Sequence, residues 1–329
     1  MTDPTIRPPL TPDAPYPAAT CRTMYFIGVT THRSSIMTVF PRWAEYWGLG
    51  DVVMQGMNFR WHDEPEHYRR AVDFIKHDPL SLGALVTTHK LDLLHACRDQ
   101  FDELDQFAEL MGEVSSISKS DQRLVGHAKD PITSGLALDA FLPAQHWQET
   151  GAEALVLGAG GSAIAITWHL LQKQHGANRP TRIRVTNRSL PRLEEIRAFH
   201  ERIGADIPLE YHHTPAPEAT DAVLESLPPG SLVINATGLG KDAPGSPLTD
   251  RARWPERGIA WDFNYRGDLQ FLVQARAQQA ARQLQVEDGW VYFLHGWTRV
   301  IAEVFHIDIP TSGPDFDALS RIAADARTS

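Results

Sequence analysis

Short apolar runs alternate with amphipathic segments from about residue 25 onward. Tyr25–Val29, Val52–Asn58 and Ala84–Thr88 have strand length and composition, and Ser35–Trp47 and His67–Lys76 between them carry apolar residues at helical spacing. Pro41 falls inside the first helix and marks the place for a kink. Leu91–Arg98 and Leu104–Met111 continue as helices. Val114–Ser118 and Leu124–His127 flank the turn Ser120-Asp121-Gln122 and predict paired strands, after which Thr133–Phe141 returns to helix. Pro143–Gly151 reads as a linker.

The alternation then restarts. Ala154–Leu157, Arg182–Thr186, Leu209–Tyr211, Leu232–Ala236 and Ile259–Phe263 are strands. Ser162–Lys173, Arg192–Ile203, Ala219–Ser226 and Leu269–Leu284 are the helices that follow them. Such regularity predicts an α/β chain with parallel sheets covered on both faces. Two further helices, Val291–Phe305 and Phe316–Ala326, are placed to pack back on the first unit. No repeat of fixed period is visible, which excludes a solenoid.

Composition narrows the class. A chain of 329 residues is more comfortable as two domains than one. Two cysteines, Cys21 and Cys97, cannot build a disulfide framework or a cysteine zinc site; they suit a reducing compartment, and a cytoplasmic protein is expected. The net charge of −10 opposes free-standing nucleic-acid binding but leaves small anionic ligands open to local basic groups. Met1 to Ala19 has six prolines, two acids and no apolar run, so neither a signal nor a transit peptide is expected and the segment reads as a loose arm. Ala154 to Gln172 is free of charge, but its cluster of Gly158, Gly160, Gly161 and Ser162 suits strand, tight turn and buried helix rather than a membrane span.

That cluster is the first candidate site. Gly158-Ala159-Gly160-Gly161-Ser162-Ala163 follows a strand and opens a helix, with Gly158, Gly160 and Ala163 at the three small positions. A tight turn, close approach of a pyrophosphate and close helix–strand contact each need a small residue there, and the helix N-terminus offers free amides to phosphate. The next strand ends in Thr186-Asn187-Arg188-Ser189, with Arg192 close by. An acid at that end would grip a ribose 2′-hydroxyl; a basic end pairs with a 2′-phosphate, which favours NADP over NAD. His32, His89, His127 and His295 follow no metal-ligand spacing such as two histidines four apart with a glutamate, so no metal is expected. No G-x-S-x-G nucleophile elbow occurs.

These motifs, together with Ile234-Asn235-Ala236-Thr237-Gly238-Leu239-Gly240, resemble the shikimate/quinate dehydrogenase family. So do Val86-Thr87-Thr88-His89-Lys90, Gly112-Glu113-Val114-Ser115-Ser116, Gly126-His127-Ala128-Lys129-Asp130 and Asp262-Phe263-Asn264-Tyr265. The resemblance covers roughly Tyr25 to Phe305. It implies an N-terminal α/β substrate domain, 1–142 with 289–329, and a Rossmann-type doubly wound dinucleotide-binding domain over 143–288, with the C-terminal helices returning to the first. It also implies hydride transfer between NADP(H) and the hydroxyl- or keto-bearing carbon of a shikimate- or quinate-related cyclic acid, a place in aromatic amino acid biosynthesis, and a homodimer as the assembly to look for.

By the same resemblance Lys90 and Asp130 are the catalytic pair, and Ser35, Arg33, Thr87, Ser115 and Tyr265 face the substrate. Gly158, Gly160, Gly161, Ser162, Ala163, Asn187, Arg188, Ser189, Arg192, Asn235, Ala236, Thr237 and Gly238 bind the cofactor. Lys90 would carry the proton and Asp130 would bond the same hydroxyl; an ordinary lysine titrates near ~10.4, so its surroundings must lower it. The substrate motifs depart from the family pattern. Arg33 replaces the first serine of a pair that keeps Ser35. Leu85, Ser115 and Ala128 stand where the family has asparagine, and Gly296 where it has glutamine. A pocket that loses such groups reads a different molecule. The alternatives are a cofactor-binding or regulatory protein with little catalysis, and another NADP oxidoreductase such as a methylenetetrahydrofolate-type dehydrogenase.

Overall fold

A computed structural model describes residues 7–241 and 243–328. The chain divides into two compact units, Met1–Lys129 with Leu294–Ser329, and Asp130–Phe293.

Unit 1 opens with β1 (Arg22–Gly28), α1 (Ile36–Tyr46), β2 (Val52–Asn58), α2 (Pro65–His77), β3 (Ser81–Val86) and α3 (Lys90–Cys97). It continues with β4 (Glu103–Leu104), α4 (Gln106–Met111), β5 (Ser116–Ser120) and β6 (Arg123–His127). The strands form one sheet in the order β2-β1-β3-β5-β6-β4. The β2-β1-β3 half is parallel, and β5 runs antiparallel to both of its neighbours, so this sheet is mixed rather than wholly parallel. The hairpin is the reason: a short turn reverses the chain, which a parallel pair cannot do. Helix α1 runs through Pro41 as one helix.

Three sequence expectations change here. Residue 104 opens no helix. Glu103–Leu104 pair with β6, and α4 starts only after Asp105, whose carboxylate accepts the Ala108 N–H at 2.7 Å as an N-cap. The arm is not loose from residue 10 onward. Leu10 bridges Met57 on the outer strand β2, the Arg70 guanidinium donates to the carbonyls of Pro12 and Ala14, and the Ala19 N–H donates to Asp78. The first six residues of the arm lie outside the described residues. Finally, the 143–151 linker contains a helical turn, described with unit 2.

Unit 2 holds α5 (Asp130–Asp139), α6 (His146–Thr150), β7 (Ala154–Leu157), α7 (Gly161–Leu170), β8 (Ile183–Asn187), α8 (Leu190–Arg202) and β9 (Leu209–His213). After them come α9 (Pro217–Glu225), β10 (Leu232–Asn235), β11 (Ile259–Asp262), α10 (Gln270–Arg282) and β12 (Gln285–Glu287). Its six strands run β12-β11-β10-β7-β8-β9, every pair parallel. This is the doubly wound order, with its switch point between β7 and β10. Successive residues of each strand enter opposite cores. Val156, Ile234 and Trp261 join one, and Leu155, Val233 and Ala260 the other, which is why these strands read as continuous apolar runs.

The last helices are α11 (Trp290–Phe305) and α12 (Pro314–Thr328). The segment from Leu294 belongs to unit 1, as the sequence predicts. There Trp297 meets Phe26 edge-on at 5.0 Å, and the Trp43 indole N–H donates to the Leu319 carbonyl at 2.9 Å.

Candidate functional site

In unit 1 the candidate residues gather where β1 and β3 end, at the carboxyl edge of the parallel half of the sheet. Thr31, buried, is pinned by two bonds to the Asn58 side-chain oxygen, from its N–H at 3.0 Å and its hydroxyl at 2.7 Å. The turn that follows leaves His32 and Arg33 exposed and Ser35 half-buried just before α1. Thr87 continues β3 and donates its N–H to Ile27. Thr88 then takes φ +54°, a left-handed conformation that a β-branched residue adopts only under constraint. Lys90 is the first residue of α3, and its carbonyl accepts the Val114 N–H at 3.2 Å. The strained turn and the hairpin thus fix the start of the lysine helix from both sides.

Ser115 is also close, but its hydroxyl accepts the Lys129 N–H at 2.7 Å and lies 3.3 Å from the His127 carbonyl. His127 and Lys129 belong to a polar cluster that the sequence did not suggest. The His127 Nε2 lies 2.8 Å from the Ser118 hydroxyl and its Nδ1 3.3 Å from Asp105. The buried Lys129 ammonium sits 2.6 Å from Glu303 and 3.6 Å from Asp105. Burial works to raise the Asp105 carboxyl, but bonds from His127 and Ala108 and the Lys129 charge outweigh it and hold it below the usual range. His89 is buried with its Nδ1 3.0 Å from the Tyr68 hydroxyl, and burial lowers its pKa. His295 stacks on Phe316, 4.5 Å between ring centroids, and burial pushes it down to about 4, helped by Arg299. Among the described residues no group of three or more histidine, cysteine, aspartate or glutamate side chains is arranged to hold a metal.

In unit 2 the glycine turn stands at the end of β7, at the switch point. Gly158 has φ +112°, and a Cβ there would lie 3.0 Å from the Ala236 carbonyl oxygen and 3.2 Å from the Thr237 methyl. Glycine at 158 is therefore demanded by the fold itself. Gly160 is different. Its φ is −89°, and an added Cβ would meet no atom within 4 Å. Packing gives no reason for glycine at 160, whereas a phosphate group pressed against the backbone would. Gly160 precedes α7 with no side-chain cap, so the amides of Gly161, Ser162 and Ala163 open the helix uncapped. This residue set fits a dinucleotide pyrophosphate.

The end of β8 carries Asn187, not an acid. Arg188 is exposed in the turn before α8, Ser189 precedes that helix without capping it, and Arg192 pairs with Glu195 at 2.7 Å. Beside the glycine turn runs the 236–240 loop. The Asn235 side-chain oxygen accepts the N–H and hydroxyl of Thr237 at 3.1 and 2.6 Å, and the Asn264 amide donates to the carbonyls of Thr237 and Leu239, both at 3.1 Å. The expectation named Asn235, Ala236, Thr237 and Gly238 but not Asn264 or Asp262, which hold them. The available signal was an acid ending the otherwise apolar strand Ile259-Ala260-Trp261-Asp262.

Asp130 begins α5 and is nearly buried; its carbonyl accepts the Ser134 hydroxyl at 2.7 Å. Gly135 lets α5 pass close to α7, since a Cβ there would sit 2.3 Å from the His169 ring. Tyr265 packs against the rings of Phe293 and Trp290, at 4.6 and 5.6 Å.

No family model matches the chain. It is similar to shikimate dehydrogenases (NADP(+)) of Chelativorans sp. (31% identity over 191 residues, 58% of this chain), Symbiobacterium thermophilum (28% over 215, 64%) and Brucella ovis (26% over 278, 83%). The matched region is 61% of the Chelativorans protein, 67% of the Symbiobacterium one and 85% of the Brucella one. A Streptococcus gordonii relative at 29% identity is matched over 58% of its length. Among solved structures, the shikimate dehydrogenase of Aquifex aeolicus superposes with TM-score 0.70 at 18% identity, covering 95% of this chain and all of that one. The Thermus thermophilus enzyme in complex with NADP(H) and shikimate gives 0.65 at 22%, covering 92% and 99%. No helix among the described residues is long and apolar enough to cross a membrane. The chain is similar in sequence to parts of these shikimate dehydrogenases and shares their two-domain α/β fold.

Proposed function

We propose that this protein is an NADP-dependent oxidoreductase that interconverts a hydroxyl and a keto carbon on a shikimate- or quinate-related cyclic hydroxy acid. The observation that carries the reading is the glycine turn at the switch point of an all-parallel six-stranded sheet, with Gly160 kept small where the fold does not ask for it. The names of the relatives, shikimate dehydrogenase (NADP(+)), support the same reaction and cofactor. Bound there, the nicotinamide supplies the hydride chemistry.

The protein's own residues supply the rest. The amides of Gly161, Ser162 and Ala163 receive the pyrophosphate. Arg188 and Arg192 take the 2′-phosphate, with Asn187 and Ser189 shaping the turn between them; NAD lacks that phosphate and binds more weakly. Lys90 carries the substrate hydroxyl proton, as base in oxidation and acid in reduction, and Asp130 accepts a bond from the same hydroxyl. Arg33 and Ser35 hold the carboxylate, with Thr87 and Tyr265 lining the pocket. Ser115, whose hydroxyl is already bonded to the hairpin, acts on substrate only by steadying Lys129 and the residue after it. On this reading the protein works in the cytoplasm, and a homodimer is the assembly to test by size-exclusion chromatography.

The test is a screen of cyclic hydroxy acids for NADPH formation, run with the unaltered protein and with Lys90→Ala. The expected outcome is turnover of at least one such acid with NADP preferred to NAD. In Lys90→Ala, turnover falls by a factor on the order of 100 or more while NADPH affinity stays nearly unchanged. Full activity in the variant would remove Lys90 from the mechanism. NADPH binding with no turnover of any member would favour a regulatory protein instead.

A further inference from the structure

The buried end of β11 carries a carboxylate whose bonds are incomplete. Asp262 is wholly buried. Its Oδ1 accepts the Asn235 side-chain amide at 3.1 Å and the Asn264 backbone N–H at 2.9 Å, while its Oδ2 has no hydrogen-bond partner among the described residues. Both partners go on to hold the 236–240 loop. Asn235 anchors Thr237, and Asn264 grips the Thr237 and Leu239 carbonyls. The loop in turn touches the glycine turn, for only the missing Cβ of Gly158 keeps that residue clear of Ala236 and Thr237. Four groups therefore link one carboxyl to the wall of the dinucleotide site, all within unit 2.

We infer that Asp262 is a positioning residue that holds the 236–240 loop against the glycine turn in its protonated form and loosens it when it ionises. The inference rests on the dinucleotide reading for its functional consequence but not for its structural one. A neutral carboxyl leaves at Oδ2 only an uncharged polar group unpaired, a smaller cost than an unpaired charge. An ionised one shares its negative charge with an oxygen that no donor meets, and a buried charge only half satisfied is disfavoured. The bonds from Asn235 and Asn264 relieve it only in part. Asn235 from β10 and Asn264 are neutral, and Asp288, after β12, is itself acidic. Burial pushes the carboxyl up to about 7, against the bonds from Asn264 and Asn235 and aided by the Asp288 charge. Water must then enter, or Asn264 must shift, and either frees the carbonyls that fix the loop.

The experiment measures two quantities on the full chain between about pH 5.5 and 8.5, for the unaltered protein and for Asp262→Asn. The first is the hydrogen-exchange protection of the Thr237 and Leu239 amides without dinucleotide. The second is NADPH affinity. Asparagine copies the neutral carboxyl in shape and keeps the Oδ1 bonds. In the unaltered protein, protection should fall several-fold as pH rises through about 7, and NADPH affinity should weaken about threefold or more over the same range. In Asp262→Asn both should stay flat. Protection that is flat in the unaltered protein, or falls equally in both proteins, overturns the inference. NADPH binding that fails at every pH would instead condemn the dinucleotide reading, and the exchange measurement would still decide the role of Asp262.

Discussion

Two glycines of one turn are small for opposite reasons, and substitution separates them. Gly158→Ala must place a Cβ 3.0 Å from a backbone oxygen at φ +112°, so it should destabilise the protein by at least about 1–2 kcal/mol in denaturant titrations. In Gly160→Ala the added Cβ meets no other described atom within 4 Å, so its stability should stay within about 0.5 kcal/mol while NADPH affinity drops by a factor on the order of 10 or more. A Gly160→Ala variant that binds NADPH normally would mean that no phosphate approaches that backbone. The sequence announced the turn because its steric demand falls on consecutive residues. Asp262 stands in a recognised motif without a role, because an aspartate after an apolar strand looks the same whether it enters solvent or stays buried against Asn235, distant in the chain. Residue type likewise does not say that the Ser115 hydroxyl and the His127 ring are bonded inside the fold.

Helices and strands long enough to carry their own periodicity were readable from residue order, and the short ones were not. β4, α6 and β12 have two, five and three residues, and the two strands exist because a neighbouring strand offers its edge. Helix α4 shows what fixes such a boundary. Asp105 caps it and also faces His127 and Lys129, so one carboxylate ties the helix to the hairpin and to Lys129 beside Asp130. Asp105→Ala should cost about 1–2 kcal/mol near neutral pH, and Asp105→Asn should recover the cap but not the ion pairs. The folded carboxyl lies below its ordinary value, so its contribution is present above the unfolded pKa of about 3.9 and disappears as pH falls through the lower folded value. Urea titrations of both proteins should therefore converge toward acid. A difference that widens there would refute the assignment.

For the molecule entire, the strand–helix alternation carries the fold class, the family resemblance carries the return of the C-terminal helices, and neither shows that the arm is held. Prolines and acids without an apolar run suggest no structure, yet Leu10 bridges Met57 on the outermost strand and residues 12–19 are tied down by Arg70 and Asp78. A bare strand edge invites pairing with another chain. Deleting residues 1–15 should lower the melting temperature by several degrees and promote self-association in light scattering; an unchanged melting temperature and particle size would show the arm to be dispensable. Unit 1 is also discontinuous, closed by a segment that begins at Leu294. During synthesis the 130–293 unit is therefore whole before the N-terminal one can be. Until the segment from Leu294 onward leaves the ribosome, Phe26 and Trp43 lack Trp297 and Leu319, and the newborn chain carries an unfinished apolar surface that chaperones can recognise.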